Sequence, residues 1–198
     1  MTSFATLRNL ARKPPAIEHC DLCGVGLMHQ HQHLIEPVSR RLVCACDACA
    51  VLFCQSGETK YKRVPRGARP LADFQMTDGQ WDSLLIPIGL AFFVENSAQN
   101  RIIALYPSPA GPTESMLSLE AWCEIVQENP VLAEMESDVE ALLVNRLDHP
   151  GEYYLAPIDK CYQLVGLIRS NWRGLSGGAE VWEKIRDFFG QLKDGSNA

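Results

Sequence analysis

Two Cys-x-x-Cys pairs, Cys20-Asp-Leu-Cys23 followed by Gly24 and Cys46-Asp-Ala-Cys49, with 22 residues between them, constrain this chain more than any other feature. Two thiols spaced in this way can grip one ion from a single tight turn, and a glycine after the second sulfur lets the backbone pass beneath the ligands. Two such pairs supply the four thiolates of a tetrahedral site. Zinc is the expected metal, because a structural zinc is the common staple of a module too small to hold itself together by burial. Iron is the alternative, since a tetrahedron of sulfur serves both and spacing does not separate them. The opposing reading, reduced cysteines buried as small hydrophobes, suits isolated cysteines better than two pairs.

The segment between the pairs has hairpin character. His33-Leu-Ile-Glu36 and Arg41 to Ala45 flank Pro37-Val-Ser-Arg40, which would fold the two Cys pairs onto one another as a zinc-ribbon or rubredoxin-like knuckle. Cys44-Ala-Cys46 places two sulfurs on one face of a strand, so Cys44 is a candidate replacement ligand or a neighbour of the site. His29, His31 and His33 alternate in the same way and would share one face if the stretch is extended. That row is either a polar face turned to water, a second metal site with Cys44 or Cys54, or the source of a substitute ligand for the first. Asp21 and Asp47, each just inside a Cys pair, read as solvent-exposed turn formers.

Charge divides the chain. Residues 1 to 70 hold ten Lys and Arg against five Asp and Glu, or +5, while residues 71 to 198 carry −11. Six of the eight cysteines and four of the five histidines also fall in the first part, and such a cluster in a reducing compartment means metal before disulfide. With 198 residues, 46% of them hydrophobic and 21% charged, the chain is a globular protein rather than a disordered one. Its longest apolar run, Ile86 to Val94, is broken by Pro87 and Gly89 and is too short to span a bilayer. Met1 to Pro15 carries scattered Arg and Lys with no apolar stretch behind them, so no secretory leader and a cytoplasmic location are expected.

Four segments follow from these patterns: a flexible lead-in, 1–16; a Cys/His metal module, 17–54; a basic connector, 55–70, punctuated by Gly57, Pro65, Gly67 and Pro70; and an α+β domain, 71–198. In the last, Thr77 and Gln80 form a capping box ahead of a short helix. Strands are expected at Gly89 to Glu95, Arg101 to Tyr106, Val139 to Asn145 and Glu152 to Ala156, making an antiparallel sheet of about four strands. Helices are expected from Ser118 to Glu128, Ile158 to Trp172 and Ala179 to Leu192, on apolar spacings such as Val181, Ile185, Phe188 and Leu192. The fold class is therefore α+β, with a zinc-ribbon or rubredoxin-like module in front.

No catalytic constellation stands out. Gly24-Val-Gly26 lacks the third glycine of a dinucleotide fingerprint, and no phosphate-binding loop occurs. Cys123 and Cys161 read as core thiols, and a Cys/His nucleophile using His149 is a minor alternative. The connector residues Lys60, Lys62, Arg63, Arg66 and Arg69 permit nucleic-acid binding as a further alternative. The acidic second part and the lack of Phe or Trp among those basic residues favour a solvated linker or a patch that docks on an acidic surface. Pro107 to Ser115 and Trp172 to Gly178 spend prolines or glycines on unusual backbone and are candidate interaction loops.

Taken together, Cys20-Asp-Leu-Cys-Gly24, His31-Gln-His-Leu34, Arg40-Arg-Leu-Val-Cys-Ala-Cys-Asp-Ala-Cys49, Ala104-Leu-Tyr-Pro-Ser-Pro-Ala-Gly111 and Trp172-Arg-Gly-Leu-Ser-Gly-Gly178 give the chain a family likeness. From about residue 18 to 192 it resembles an uncharacterised bacterial family associated with gene clusters of oxygen-tolerant, high-affinity nickel–iron hydrogenases. The resemblance implies an accessory role in assembly, maturation or electron transfer, with a hydrogenase subunit as protein partner. The expectation is thus a non-catalytic zinc protein, with no membrane insertion, that assists hydrogenase assembly. A rubredoxin-like iron electron carrier is the first alternative and a nucleic-acid-binding zinc module the second.

Overall fold

The computed structural model describes residues 17–54, 59–116, 119–174 and 176–195. The lead-in 1–16, the expected Ser118 helix cap and the first part of the connector lie outside these residues. Two antiparallel sheets organise the chain. The smaller has the order β2-β1-β3, from β1 (Gln32–Glu36), β2 (Arg41–Ala45) and β3 (Lys62–Arg63). Glu36 pairs with Arg41 across the Pro37–Arg40 turn, so the expected hairpin forms about the expected turn. Arg40 closes that turn with φ 57°.

The larger sheet has six strands rather than about four. β5 (Leu90–Asn96), β6 (Arg101–Ser108), β8 (Glu140–Asn145) and β9 (Glu152–Pro157) are the expected ones, and β4 (Arg69–Pro70) and β7 (Gly111–Glu114) close the edges in the order β4-β9-β8-β5-β6-β7. The prolines at 107, 109 and 112, which a central strand would not tolerate, are accommodated by position. β6 pairs with β5 only as far as Leu105, and Pro107 faces Pro112 of β7 beyond that point, where a missing N–H costs one neighbour rather than two.

Both faces of this sheet are covered, which explains why its central strands read as unbroken apolar runs, Leu90-Ala-Phe-Phe-Val94 and Ala141-Leu-Leu-Val144. On one face Phe92, Ile103, Leu143 and Tyr154 pack beneath α4 (Ile158–Asn171) and α5 (Ala179–Gly195). On the other, Phe93, Ala104 and Leu142 meet α2 (Asp78–Ser83), α3 (Leu119–Glu128) and the 3-10 turn Pro130–Glu134 through Trp81, Trp122, Ile125 and Leu132. Thr77 and Gln80 form both halves of the capping box at α2. Cys161 is buried on α4 as expected, but Cys123 is exposed, because α3 turns Ala121, Trp122 and Ile125 inward and leaves the intervening position outside.

The connector is built into both sheets. Lys62 and Arg63 pair with Ile35 and Leu34, and Arg69 and Pro70 pair with Leu155 and Tyr154. Val64 and Ala68, with Ile35 of β1, enter the core under α4 and α5. Three of its cations are paired within the chain, Lys60 with Glu36 at 3.2 Å, Lys62 with Asp138 at 2.7 Å and Arg69 with Glu134 at 2.8 Å.

The loop Trp172 to Gly178 is explained by its own packing. Gly174, Gly177 and Gly178 have φ of 63°, 84° and 79°, a region closed to most side chains. The indole N–H of Trp172 donates to the Gly174 carbonyl at 3.0 Å, and that of Trp182 donates to the Ser176 carbonyl at 3.1 Å.

Candidate metal centre

The first Cys pair sits in a tight turn. The Cys20 N–H donates to the Val25 carbonyl and the Gly24 N–H to the Cys20 carbonyl, each at 2.8 Å, and Gly24 supplies the left-handed residue at φ 78°. The second pair opens α1 (Asp47–Phe53), a helix the sequence patterns did not reveal. Cys46 is its N-cap, and its sulfur accepts from the Cys49 N–H at 3.5 Å. One CxxC therefore rides on a turn and the other on the first turn of a helix, both presenting sulfur beside exposed backbone N–H groups.

Asp21 and Asp47 do more than form turns. Asp21 accepts from the Cys44 N–H at 2.7 Å while its own N–H donates to the Cys44 carbonyl at 2.8 Å, so the first turn is laced to β2. Asp47 accepts from Gln32 at 2.8 Å, and Gln32, buried, accepts from Arg63 at 3.0 Å, tying α1, β1 and β3 together.

This lacing brings the sulfurs of Cys20, Cys23, Cys46 and Cys49 to within 4.8 Å of one another. Sulfur atoms at the corners of a tetrahedron with metal–sulfur bonds of about 2.3 Å lie about 3.8 Å apart. Cys23 and Cys46 Sγ are 3.8 Å apart. The four thiols thus fit a tetrahedral ion of the zinc or iron type. Around them the core is small: Leu34, Val43, Ala45 and Ala50, with Leu22, Leu27 and Tyr61 at its margin.

The thiols influence one another. Burial raises the Cys20 pKa, but N–H groups of Cys46, Leu22 and Cys23 more than offset this and bring it down to about 6. Burial, followed by the neighbouring sulfurs of Cys46, Cys23 and Cys20, pushes Cys49 up to about 12. One thiol is ready to ionise and the group resists losing further protons, which is the electrostatic problem a divalent cation at the centre would solve.

The histidine row is broken. The chain bends at His29, which is exposed, whereas His31 and His33 stay together, their ring centroids 4.8 Å apart. One ring nitrogen of each and the Cys44 sulfur lie within 4.8 Å of one another, separate from the four-cysteine group. Cys54 belongs to neither group; it packs at the edge of the small core, and burial raises its pKa. Asp159, which sequence patterns gave no reason to single out, accepts or shares a hydrogen bond with His33 Nδ1 at 2.7 Å. The two residues are 126 positions apart, and no local signal connects them.

Elsewhere a cleft of about 600 Å³ is lined by Leu71, Phe74, Met76, Arg146, His149 and Tyr153. It brings no cysteine to His149, and Cys161 is wholly buried with its thiol pKa raised by desolvation. The candidate chemistry of the described residues is therefore concentrated in the N-terminal module. No helix among them is long and apolar enough to cross a membrane.

Fold and site together define an α+β protein with an N-terminal tetracysteine module capable of holding a metal ion. The chain belongs to a family of unknown function, DUF5947, whose model matches residues 19–196. Comparison with curated proteins and with solved structures returns no match.

Proposed function

We propose that this protein is a non-catalytic accessory factor in which Cys20, Cys23, Cys46 and Cys49 hold a structural zinc ion and the stapled module docks on a partner protein. The observation that carries this reading is the convergence of four thiols within 4.8 Å of one another, Cys23 and Cys46 at the 3.8 Å edge of a metal tetrahedron, around a small apolar core that a staple would hold. Bound zinc would supply folding free energy and neutralise the thiolates. The docking part rests on where apolar surface is exposed. Seven of the ten large hydrophobics exposed among the described residues lie at positions 17–53, including Val51, Leu52 and Phe53 in succession on α1. Apolar surface gathered on one small module marks a contact site rather than scatter. The candidate loop at Trp172 to Gly178, by contrast, is occupied with its own hydrogen bonds.

The partner we propose is a nickel–iron hydrogenase subunit or its precursor, on the family resemblance of the cysteine, Leu105-Tyr-Pro-Ser-Pro-Ala-Gly111 and Trp172-Arg-Gly-Leu-Ser-Gly-Gly178 motifs. Elemental analysis of protein purified without added metal tests the zinc, and capture of partners from the native host together with hydrogenase activity in a deletion strain tests the role. Bound zinc and hydrogenase peptides in the eluate are expected. Absence of metal overturns the first part, and unchanged hydrogenase activity without such peptides overturns the second.

A rubredoxin-like electron carrier is the second reading, favoured by the exposure of Cys23, which would bring an iron tetrathiolate's edge to the surface, and by the N–H groups around Cys20. Colour separates them: an oxidised iron tetrathiolate is red and zinc is colourless. Nucleic-acid binding has less support, because Lys60, Lys62 and Arg69 already face carboxylates. Binding that rises steeply at low salt would restore it.

A further inference from the structure

We propose that His31, His33 and Cys44 form a second transition-metal site beside the tetracysteine centre, with one coordination position open. The strand register creates it. His33 is the Cα partner of Cys44 across β1 and β2, so their side chains are cross-strand neighbours on one face, and His31 lies two residues before His33 with its ring packed edge-on.

The hydrogen bonds then assign the ring nitrogens. His31 Nδ1 lies 3.0 Å from the Met28 carbonyl, which can only accept, so this nitrogen carries the proton and Nε2 carries the lone pair. His33 Nδ1 lies 2.7 Å from the Asp159 carboxylate, which fixes the same tautomer. A histidine whose other nitrogen is held by a carboxylate or a carbonyl is the usual form of a metal ligand, because the second partner orients the ring and makes its free nitrogen more basic.

His31 Nε2 is the observation that points to an ion. The His31 side chain is only 7% exposed, and its Nε2 is a buried polar atom with no hydrogen-bond partner. Such orphans are rare in native proteins, and an unfilled ligand position explains this one. The surroundings favour a cation: Glu18 stands 3.6 Å from His31, Asp21 bonds the Cys44 N–H, and Asp159 backs His33.

Two imidazoles and a thiol suit a borderline-soft ion of the Zn²⁺ kind and not Ca²⁺ or Mg²⁺, which take oxygen. Three protein ligands at partly exposed positions leave a fourth for water or an exchangeable ligand, in contrast with the closed set of four cysteines. The second site stands independently of the accessory role proposed above, because its ligands are not those of the first.

Full-length reduced apoprotein titrated with Zn²⁺ against a chromophoric chelator tests it. The wild type should take up two equivalents. His31→Ala and Cys44→Ser should each lose one and keep the other, and Cys23→Ser should lose the complementary one. Titration with Co²⁺ should show a thiolate charge-transfer band from the second equivalent that Cys44→Ser removes. Asp159→Asn, which leaves all ligands in place, should weaken the second equivalent about 10- to 100-fold and leave the first unchanged. Uptake of a single equivalent that Cys44→Ser retains overturns the proposal, as does retention of two in either ligand variant, whereas a single equivalent lost in Cys44→Ser and kept in Cys23→Ser overturns the tetracysteine reading instead. Should a ligand variant fail to fold, by circular dichroism, the wild-type count and Asp159→Asn decide, an unweakened second equivalent in Asp159→Asn overturning the proposal.

Discussion

Cys20 and Cys49 occupy the same cluster and yet are pushed in opposite directions, Cys20 down to about 6 by backbone N–H groups that outweigh its burial, and Cys49 up to about 12 by burial and its sulfur neighbours. Protons and metal compete for the same sulfurs, so acid favours release. Metal retained at neutral pH should be released progressively on acidification below about 6, because a bound cation keeps the thiolates ionised past the point at which the free Cys20 thiol regains its proton; release to a chromophoric chelator, followed against pH, measures this. Metal retention that does not respond to acidification at all would mean the four sulfurs are not the ligands. Exposure separates the roles of the ligands as well. Cys23 is exposed and Cys20 is buried. Cys23→Ser should therefore abolish the first metal equivalent while leaving the larger sheet folded, which elemental analysis and near-ultraviolet circular dichroism of the aromatic core would show. That core includes Phe93 stacked on Trp122 at 5.0 Å, in a cluster separate from the one that holds Cys20 and Cys49.

Among the elements, the turn between α4 and α5 gives the cleanest comparison of two glycines. Gly174 and Gly177 both have positive φ, but a Cβ on Gly174 meets nothing within 4 Å, whereas one on Gly177 would lie 2.9 Å from Val181 Cγ1 and 3.1 Å from the Trp172 ring. Gly174→Ala should cost about 1 kcal/mol, the backbone term alone. Gly177→Ala should cost about 2–4 kcal/mol, because overpacking against a wedged indole and a buried valine adds to that term. Urea denaturation of the two variants checks the order, and equal losses would show that the loop relaxes around the added methyl. The sequence showed that glycines here serve unusual backbone, and it offered partner binding as a reason; the structure supplies a nearer one in the Trp172 and Trp182 indoles that cap the loop's carbonyls.

At the level of the whole molecule, the connector's incorporation changes how its charges should be tested. Lys62 reaches Asp138, whose side chain is 1% exposed, and also donates to the Ser137 carbonyl at 3.2 Å. Asp138 in turn accepts from the Ser97 N–H at 2.8 Å, in the turn that joins β5 and β6. The pair therefore links the smaller sheet to the larger. Lys62→Ala leaves a buried carboxylate short of a cation and should cost about 1–3 kcal/mol, seen as a lower thermal midpoint with the metal content unchanged. Lys60, whose partner Glu36 lies at the surface, should tolerate the same change. If α1 is the docking face, Leu52→Glu should abolish partner capture without altering metal content or midpoint, whereas undiminished capture would move the interface elsewhere.

Local pattern determined much of this protein. The spacing of Cys20, Cys23, Cys46 and Cys49, the hairpin that joins the pairs, four strands of the larger sheet, the Thr77 capping box and the C-terminal helices are all written in short-range periodicity and ligand spacing, because each depends on residues a few positions apart. Tertiary structure alone decided the rest. β4 and β7 are too short or too rich in proline to be recognised, and they exist because β9 and β6 offer free edges. The basic segment reads as a linker or a docking patch until Glu36, Asp138 and Glu134 are seen to take up Lys60, Lys62 and Arg69. Sequence leaves the histidine row open between a polar strand face and a second metal site with Cys44 or Cys54; what it does not show is that α4 brings Asp159 against His33 and that burial leaves His31 Nε2 without a partner. Pairs formed between distant elements, such as Lys62 with Asp138 or His33 with Asp159, 126 positions away, leave no periodic trace, since each partner contributes only one position to its own strand or helix.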